Sequence, residues 1–349
     1  MKRILAAVLT LGALIMMGCK AKPGLVLYTW SEMFPPEILK GFEEETGVRV
    51  KYVIFDTNET MLTRLTAASG GDYDLIIADD YIIETVISEG LAQKLNKSKL
   101  SNYGNINPIY QQQFYDPGDA YTVPYGAGIQ TIVYDPNRVR IPISGYTDLW
   151  NPILANNVGI IDSFRVVNGM ALKVMGQSYN TNDLEVIRSA GEYLRALAPN
   201  IRLIRDDNLE DELLSGEISA AVMYTSQVTM AMLQNPELKV VFPSEGIGFG
   251  IMAGFIPVKA ANPGAAHAFL DYILDAERGA RCFEYLGYYS TNAASDSLID
   301  PEYASFLTLP GEFGDDMEMI QNVSADAEAM HNRIWTEFKA AAGRQGSAE

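Results

Sequence analysis

The sequence predicts an α/β protein of two similar lobes, each a mainly parallel sheet flanked by helices, with strands passing between the lobes. Three observations lead there. The chain has 349 residues, beyond the roughly 250–300 that a single core sustains. Its first hundred residues after the leader alternate strand-like and helix-like runs, the rhythm of parallel strands linked by right-handed crossovers. The same alternation returns over residues 158–225, without the repeated motif that would mark a solenoid.

The leader comes first. Lys2 and Arg3 precede an apolar run from Ile4 to Met17, followed by Gly18 and Cys19. A basic start and a short apolar stretch form an export signal, too short for a permanent span. The ending IMMGC resembles a bacterial lipoprotein signal, in which Cys19 becomes the lipidated first residue, with Met16 where Leu is usual. An ordinary secretory signal with a chance cysteine is the other reading. The expected product, without residues 1–18, is tethered to a bacterial membrane and faces the periplasm or the exterior. Losing Lys2 and Arg3 takes its formal charge from −18 to −20. Such acidity argues against nucleic acid as a partner.

Within the first lobe, VLYTW reads as a strand and PPEILKGFEEETG as a helix, with proline in its opening turn and Gly47 as its stop. VRVKYVIF, ETMLTRLTAAS, DYDLIIA and YIIETVISEG continue the alternation. Trp30-Ser31-Glu32 places a flat ring, a hydroxyl and an anion at the carboxyl end of the first strand. In open α/β sheets small ligands sit at that edge; a buried Trp beside a helix-start acid is the plainer alternative. The second lobe reads VGIID, VNGMALKVMG, EVIRSAGEYLRAL, IRLI, LEDELLSGE and ISAAVMY.

Residues 122–136 and 240–258 are extended, apolar and interrupted by glycines, which in a strand mark bends or close backbone approach. Two such strands joining two lobes would make a hinge. The expected division is 24–128 plus 251–296 for the N-terminal lobe and 129–250 plus 297–349 for the C-terminal lobe. Gly248-x-Gly250-x-x-x-Gly254 is no dinucleotide fingerprint, because the extended FIPVKA follows it in place of a helix. Cys282 has no partner once Cys19 is modified, so no disulfide is expected. His267 and His331 lie far apart, with no Cys or His to complete a zinc spacing, so neither a metal nor another cofactor is expected.

YTWSEMFPPEILKGFEEETGVRVKY, ETMLTRL, YDLIIADDY, KLNKSKLSNYGNINP, VPYGAGIQTIVYD, FPSEGIGFGIMAGFIPV and LGYYSTNAA resemble, in order, the spermidine/putrescine-binding proteins of bacterial ABC importers. The resemblance spans essentially the whole mature chain. It implies a two-lobed periplasmic-binding-protein fold, a polyamine held in the interlobe cleft, and delivery by a monomeric protein to a membrane permease with its ATPase. No enzymatic activity is implied. By resemblance, Trp30 and Tyr81 match aromatics lining the cleft, and Ser31 and Glu32 match the polar residues that follow the Trp. Asp79 and Asp80 take the loop before Tyr81, where relatives have small hydroxyl residues, and Asp80 could instead cap the following helix. Tyr224 stands where a Trp is common, Tyr288 matches an aromatic, and Gln321 a glutamine near the C-terminus.

The departures also matter. Where relatives read DDAREVF this chain has IIDSFRVVN, which keeps Asp162 but puts Ser163 and Val166 at acidic positions. Met252 replaces another acid and Gly250 a Trp. Asp206 and Asp207 read as a solvated loop. With fewer acids, the site should suit putrescine at least as well as spermidine, whose extra ammonium would be left poorly paired. Another solute, including ferric iron on Tyr288-Tyr289, and a secreted hydrolase are the alternatives, although no nucleophile or oxyanion constellation supports the latter.

Overall fold

A computed structural model describes residues 24–205, 208–306 and 317–343. The leader, Cys19, Asp206 and Asp207 lie outside the described residues. In the first half, β1 (Leu25–Thr29), α1 (Pro36–Thr46), β2 (Val50–Ile54), α2 (Asn58–Ala67), β3 (Leu75–Asp79) and α3 (Asp80–Ser88) follow in the anticipated order. Gly47 ends α1 with φ 68°, the left-handed conformation that glycine adopts without a Cβ clash. Strands β2, β1 and β3 run parallel.

The second half repeats the plan with β5 (Val158–Ile160), α4 (Phe164–Val174), α5 (Leu184–Arg195), β6 (Ile201–Ile204), α6 (Leu209–Ser215), β7 (Ala220–Tyr224) and α7 (Thr225–Gln234). Here β6, β5 and β7 are parallel. Helix α4 opens three residues before the apolar run that announced it. Ser163 is extended at its N-cap, and Phe164-Arg165-Val166 form the first turn.

Between the parallel sets run β4 (Thr122–Tyr134) and β9 (Ile247–Phe255). They pair antiparallel from Thr122↔Phe255 to Ile129↔Phe249, and β4 then continues into the second half, pairing Gln130–Tyr134 with β7. The strand order β2-β1-β3-β9-β4-β7-β5-β6 is therefore nearly symmetric about this pair. The apolar stretch 240–258 is two strands, not one. β8 (Lys239–Val241) lies on β4, and the break before β9 contains Pro243, which has no N–H to give a ladder, and Gly246 at φ 102°. Short β10 (Tyr289–Ser290) also joins β4, and β11 (Met317–Met319) joins β9.

Helices cover both faces of each half. On one face of the first, α1 packs with α8 (Pro263–Ile273) and α9 (Ala276–Leu286) around Phe42, Phe269 and Leu75; on the other, α2 and α3 enclose Tyr28, Met61, Leu65 and Ile83. In the second half α4 and α5 pack with α11 (Ala325–Gly343) around Val167, Leu194, Trp335 and Phe338, while α6 and α7 cover Leu213, Met223 and Val228. Short α10 (Pro301–Phe306) follows β10. No described helix is long and apolar enough to cross a membrane. Cys282 is buried in α9, and burial pushes its thiol up to about 12. His267 and His331 are also buried, hydrogen-bonded to Asn96 and Asn168 respectively.

Candidate functional site

The carboxyl ends of β1 and β3 carry the densest group of candidate residues. After β1, the turn Trp30–Met33 is pinned by two tyrosines. The Tyr52 hydroxyl donates to the Trp30 carbonyl at 2.7 Å and accepts from Met33 N–H at 3.1 Å, while Tyr125 donates to the Met33 carbonyl. The Trp30 ring lies 4.7 Å from that of Phe55, so a wall of two rings forms where β1 and β2 end. Ser31 and Glu32 are exposed in this turn, Glu32 at φ 57°. A left-handed non-glycine residue costs about 1 kcal/mol or more, which the tyrosine clamp offsets. Burial first, and then the nearby Glu32, weaken the hydroxyl acidities of Tyr52 and Tyr285.

After β3, Asp79 and Asp80 divide their work. Asp80 is 1% exposed, and its two oxygens accept backbone N–H bonds from Tyr81 at 2.8 Å and from Ile251 on β9 at 2.9 Å. It is not the N-cap of α3, a place Asp79 takes; as the first residue of that helix it fastens the helix start to a crossing strand. Burial, then the neighbouring Asp79, hold its carboxyl well above the usual carboxylate range. Asp79 keeps part of its surface open, yet the dense surroundings push it up to about 6, with Glu59 adding to the rise and a hydrogen bond from Asn58 opposing it. Tyr81 donates to Glu59 Oε1 at 3.0 Å and accepts from Asn58.

The crossing strands supply a floor without side chains. Gly128 on β4 and Gly250 on β9 are register partners and so face the same side. A Cβ on Gly128 would meet the Tyr288 ring at 3.2 Å and the Tyr224 ring at 4.0 Å; one on Gly250 would lie 3.6 Å from the Asp80 carboxylate. The approach at Gly128 is tight enough that a side chain would displace the Tyr288 ring, whereas that at Gly250 is ordinary van der Waals contact. Gln130 is 2% exposed and pairs across the ladder with Tyr224; its Oε1 has no hydrogen-bond partner among the described residues. Tyr288 and Tyr289 project to opposite faces, Tyr288 beside Gly128 and Tyr289 into the core with Ala127 and Ile129. They therefore cannot converge on one ferric ion.

From the second half, Gln321 is held through its backbone: its N–H donates to Asn180 Oδ1 and its carbonyl accepts from Arg165 Nη1 at 2.9 Å. The next residue, Asn322, reaches α3, donating to the Tyr81 carbonyl at 2.8 Å and to Glu84 and Thr85 at 3.2 Å. Asp162 is drawn elsewhere. Its carboxylate accepts from Trp335 Nε1 and Lys339 Nζ on α11, both at 3.0 Å. Val166 is buried and Met252 is the register partner of Asp79, so neither side chain brings a charge of its own. Asn58, Glu59, Gln130 and Asn322 escaped sequence reasoning. Only Asn58-Glu59 carried a usable signal, polar residues opening a helix beside the ligand edge.

The comparisons with known proteins agree with this architecture. Residues 37–308 match the family described as bacterial extracellular solute-binding protein. A spermidine/putrescine-binding periplasmic protein of Salmonella typhimurium is 33% identical over 322 residues, covering 90% of this chain and 91% of that protein. The solved spermidine/putrescine ABC transporter substrate-binding protein of Streptococcus pneumoniae superposes with a TM-score of 0.81 at 28% identity, over 92% of this chain and all of that one. A Treponema pallidum lipoprotein, at 24% identity and a TM-score of 0.79 over 90% and 98% of the two chains, shares the fold. The chain has the two-lobed periplasmic-binding fold and belongs to the bacterial extracellular solute-binding proteins of ABC transporters, a family of binders and not of enzymes.

Proposed function

We propose that the protein captures a polyamine, putrescine or spermidine, in the cleft between its lobes and delivers it to an ABC permease and its ATPase. The observation that carries this reading is the Trp30–Asp79–Tyr81 edge facing a glycine floor flanked by Tyr224 and Tyr288. A polyamine presents ammonium groups on a methylene chain. Carboxylates answer the first, worth about 1.5–3 kcal/mol per charge-assisted bond, and aromatic faces answer both, adding about 0.5–2 kcal/mol where a cation lies over a ring. A few such contacts reach the roughly 8 kcal/mol of micromolar binding.

In this reading residues 24–128 plus 251–296 form one lobe and 129–250 plus 297–349 the other, with β4 and β9 as the hinge. Closure brings Asn322 onto α3. Export through residues 1–18 and lipidation at Cys19 tether a monomer outside the cytoplasmic membrane. Putrescine should bind at least as tightly as spermidine, because Asp162 is occupied by Lys339 and an unpaired third ammonium is costly.

Thermal denaturation of the chain without its leader, with putrescine, spermidine, cadaverine, amino acids or metal ions, tests the reading. An amine at 100 times its dissociation constant should add about 2.7 kcal/mol of stability. Silence toward every amine would end the polyamine assignment, and a much tighter spermidine complex would end the putrescine preference.

A further inference from the structure

Helix α2 is capped by Thr57, whose side chain accepts from Thr60 N–H. Its neighbour is thereby released from the capping work that asparagine commonly does at a helix start. Asn58 is 6% exposed and spends its amide on the end of β3 instead. Its Oδ1 accepts the backbone N–H of Asp79 at 3.3 Å, and its Nδ2 donates to Asp79 Oδ2 at 2.7 Å and to the Tyr81 hydroxyl at 3.0 Å. The flipped amide would set a donor against the Asp79 N–H, so the network fixes the orientation.

This bonding has a directional consequence. Asp79 Oδ2 is turned toward α2, and among the described residues no hydrogen bond occupies Oδ1. The Tyr81 hydroxyl, already accepting from Asn58, gives its one proton to Glu59. The ring is held by its tip at a fixed distance from the carboxylate two residues earlier. Resting on the amine reading above, we propose that Asn58 is a positioning residue of the site: it fixes the free oxygen of Asp79 and the face of Tyr81 so that one ligand ammonium meets both. Asn58 itself touches no ligand. It replaces a flexible acid and a free ring with one prepared cation site, which lowers the ordering cost of binding.

The charged and titratable groups around Asp79 are Glu59 on α2, Asp80 and Tyr81 on α3, and, beyond Tyr81, Arg165 on α4; across β9 stands the uncharged Met252. With Asn58 gone, the carboxylate keeps its acidic neighbours and loses the donor that favours its ionised form.

Putrescine affinity of the full mature chain, measured by calorimetry from pH 5 to pH 8, tests the proposal. Asn58→Ala should weaken binding about tenfold or more at pH 8 and move upward the pH below which binding is lost. Asn58→Asp, which keeps the size and removes both donors, should move that midpoint further upward. Thr57→Ala loses the helix cap but none of the contacts to Asp79. It should lower the melting temperature while leaving both affinity and midpoint as in the wild type, which separates positioning from general loosening of α2. Wild-type affinity and midpoint in Asn58→Ala or Asn58→Asp would overturn the role of Asn58 alone, as would an equal loss in Thr57→Ala. No amine binding by the wild type would overturn the amine reading and the proposal together.

Discussion

Binding of an amine should release a proton, and Asp79 determines at which pH. Its carboxyl stands at about 6 in the ligand-free fold against an ordinary 3.8, chiefly through burial. That difference is worth about 3 kcal/mol. The sign follows from linkage. Because the folded value is raised, the group's contribution favours the fold below about pH 4 and is lost as pH rises through about 6. A cation docked on Oδ1 reverses the imbalance and draws the carboxyl back toward its ordinary range. At pH 6 the free protein holds about half a proton on this group and the complex almost none, so binding should release about half a proton; at pH 8 release should be close to zero. Affinity should fall about tenfold between pH 7 and pH 5. The ammonium groups stay charged throughout, so the ligand adds no step of its own. Asp80 is coupled to Asp79, and the proton strictly belongs to the pair. Calorimetry in buffers of different ionisation enthalpy reads the release directly, and Asp79→Asn should abolish the pH 6 step. An observed heat independent of buffer at pH 6 would refute the assignment of Asp79 as the ammonium's partner.

Two further outcomes follow from contacts outside this pair. Asn322→Ala removes the bonds to Tyr81, Glu84 and Thr85; on the proposed reading, their loss at an exposed rim should raise the putrescine dissociation constant about three- to tenfold, and an unchanged constant would show that this contact has no part in binding. Gly169→Ala would put a Cβ 1.9 Å from the Tyr179 ring inside α4, which should destabilise the fold by about 1–3 kcal/mol, and a melting temperature equal to wild type would contradict the packing described.

Local pattern made the alternation of elements legible, because each segment's apolar period is written in its own residues. The α1 stop at Gly47 and the crossing of residues 122–134 were readable for the same reason: glycine and proline carry their conformational meaning locally. The site was legible only in outline. Trp30-Ser31-Glu32 announces an aromatic and acidic edge after a strand, whereas Asp79 and Tyr81 were reached only through the family resemblance, and what Asp79 does depends on an amide 21 residues earlier. The occupation of Asp162 by Lys339, 177 residues away, left no trace in either neighbourhood. The first turn of α4 was not legible because Arg165 breaks the apolar run; Arg165 nevertheless enters the helix by sending its guanidinium to the carbonyls of Gln321 and Tyr179.

On the amine reading, the place of the anions within the candidate site orders the events of binding. Asp79 and Glu59 lie where β3 ends and α2 opens, whereas in the second half Asp162 is already paired to a lysine and Val166 is buried in the core. A cation within reach of the site is therefore attracted to this edge first, since Coulomb energy falls with distance and solvent screening removes most of it beyond about 8–10 Å. The second lobe then adds what needs contact: a ring at Tyr224, the unmatched amide oxygen of Gln130, and the Asn322 bridge. Such a division makes capture depend on salt and pH through lobe one and makes retention depend on hydrogen bonds and aromatic surface through lobe two. Substitutions at Asp79 should accordingly slow association and at Asn322 should quicken release, because long-range charge acts on encounter while short-range contacts act on escape.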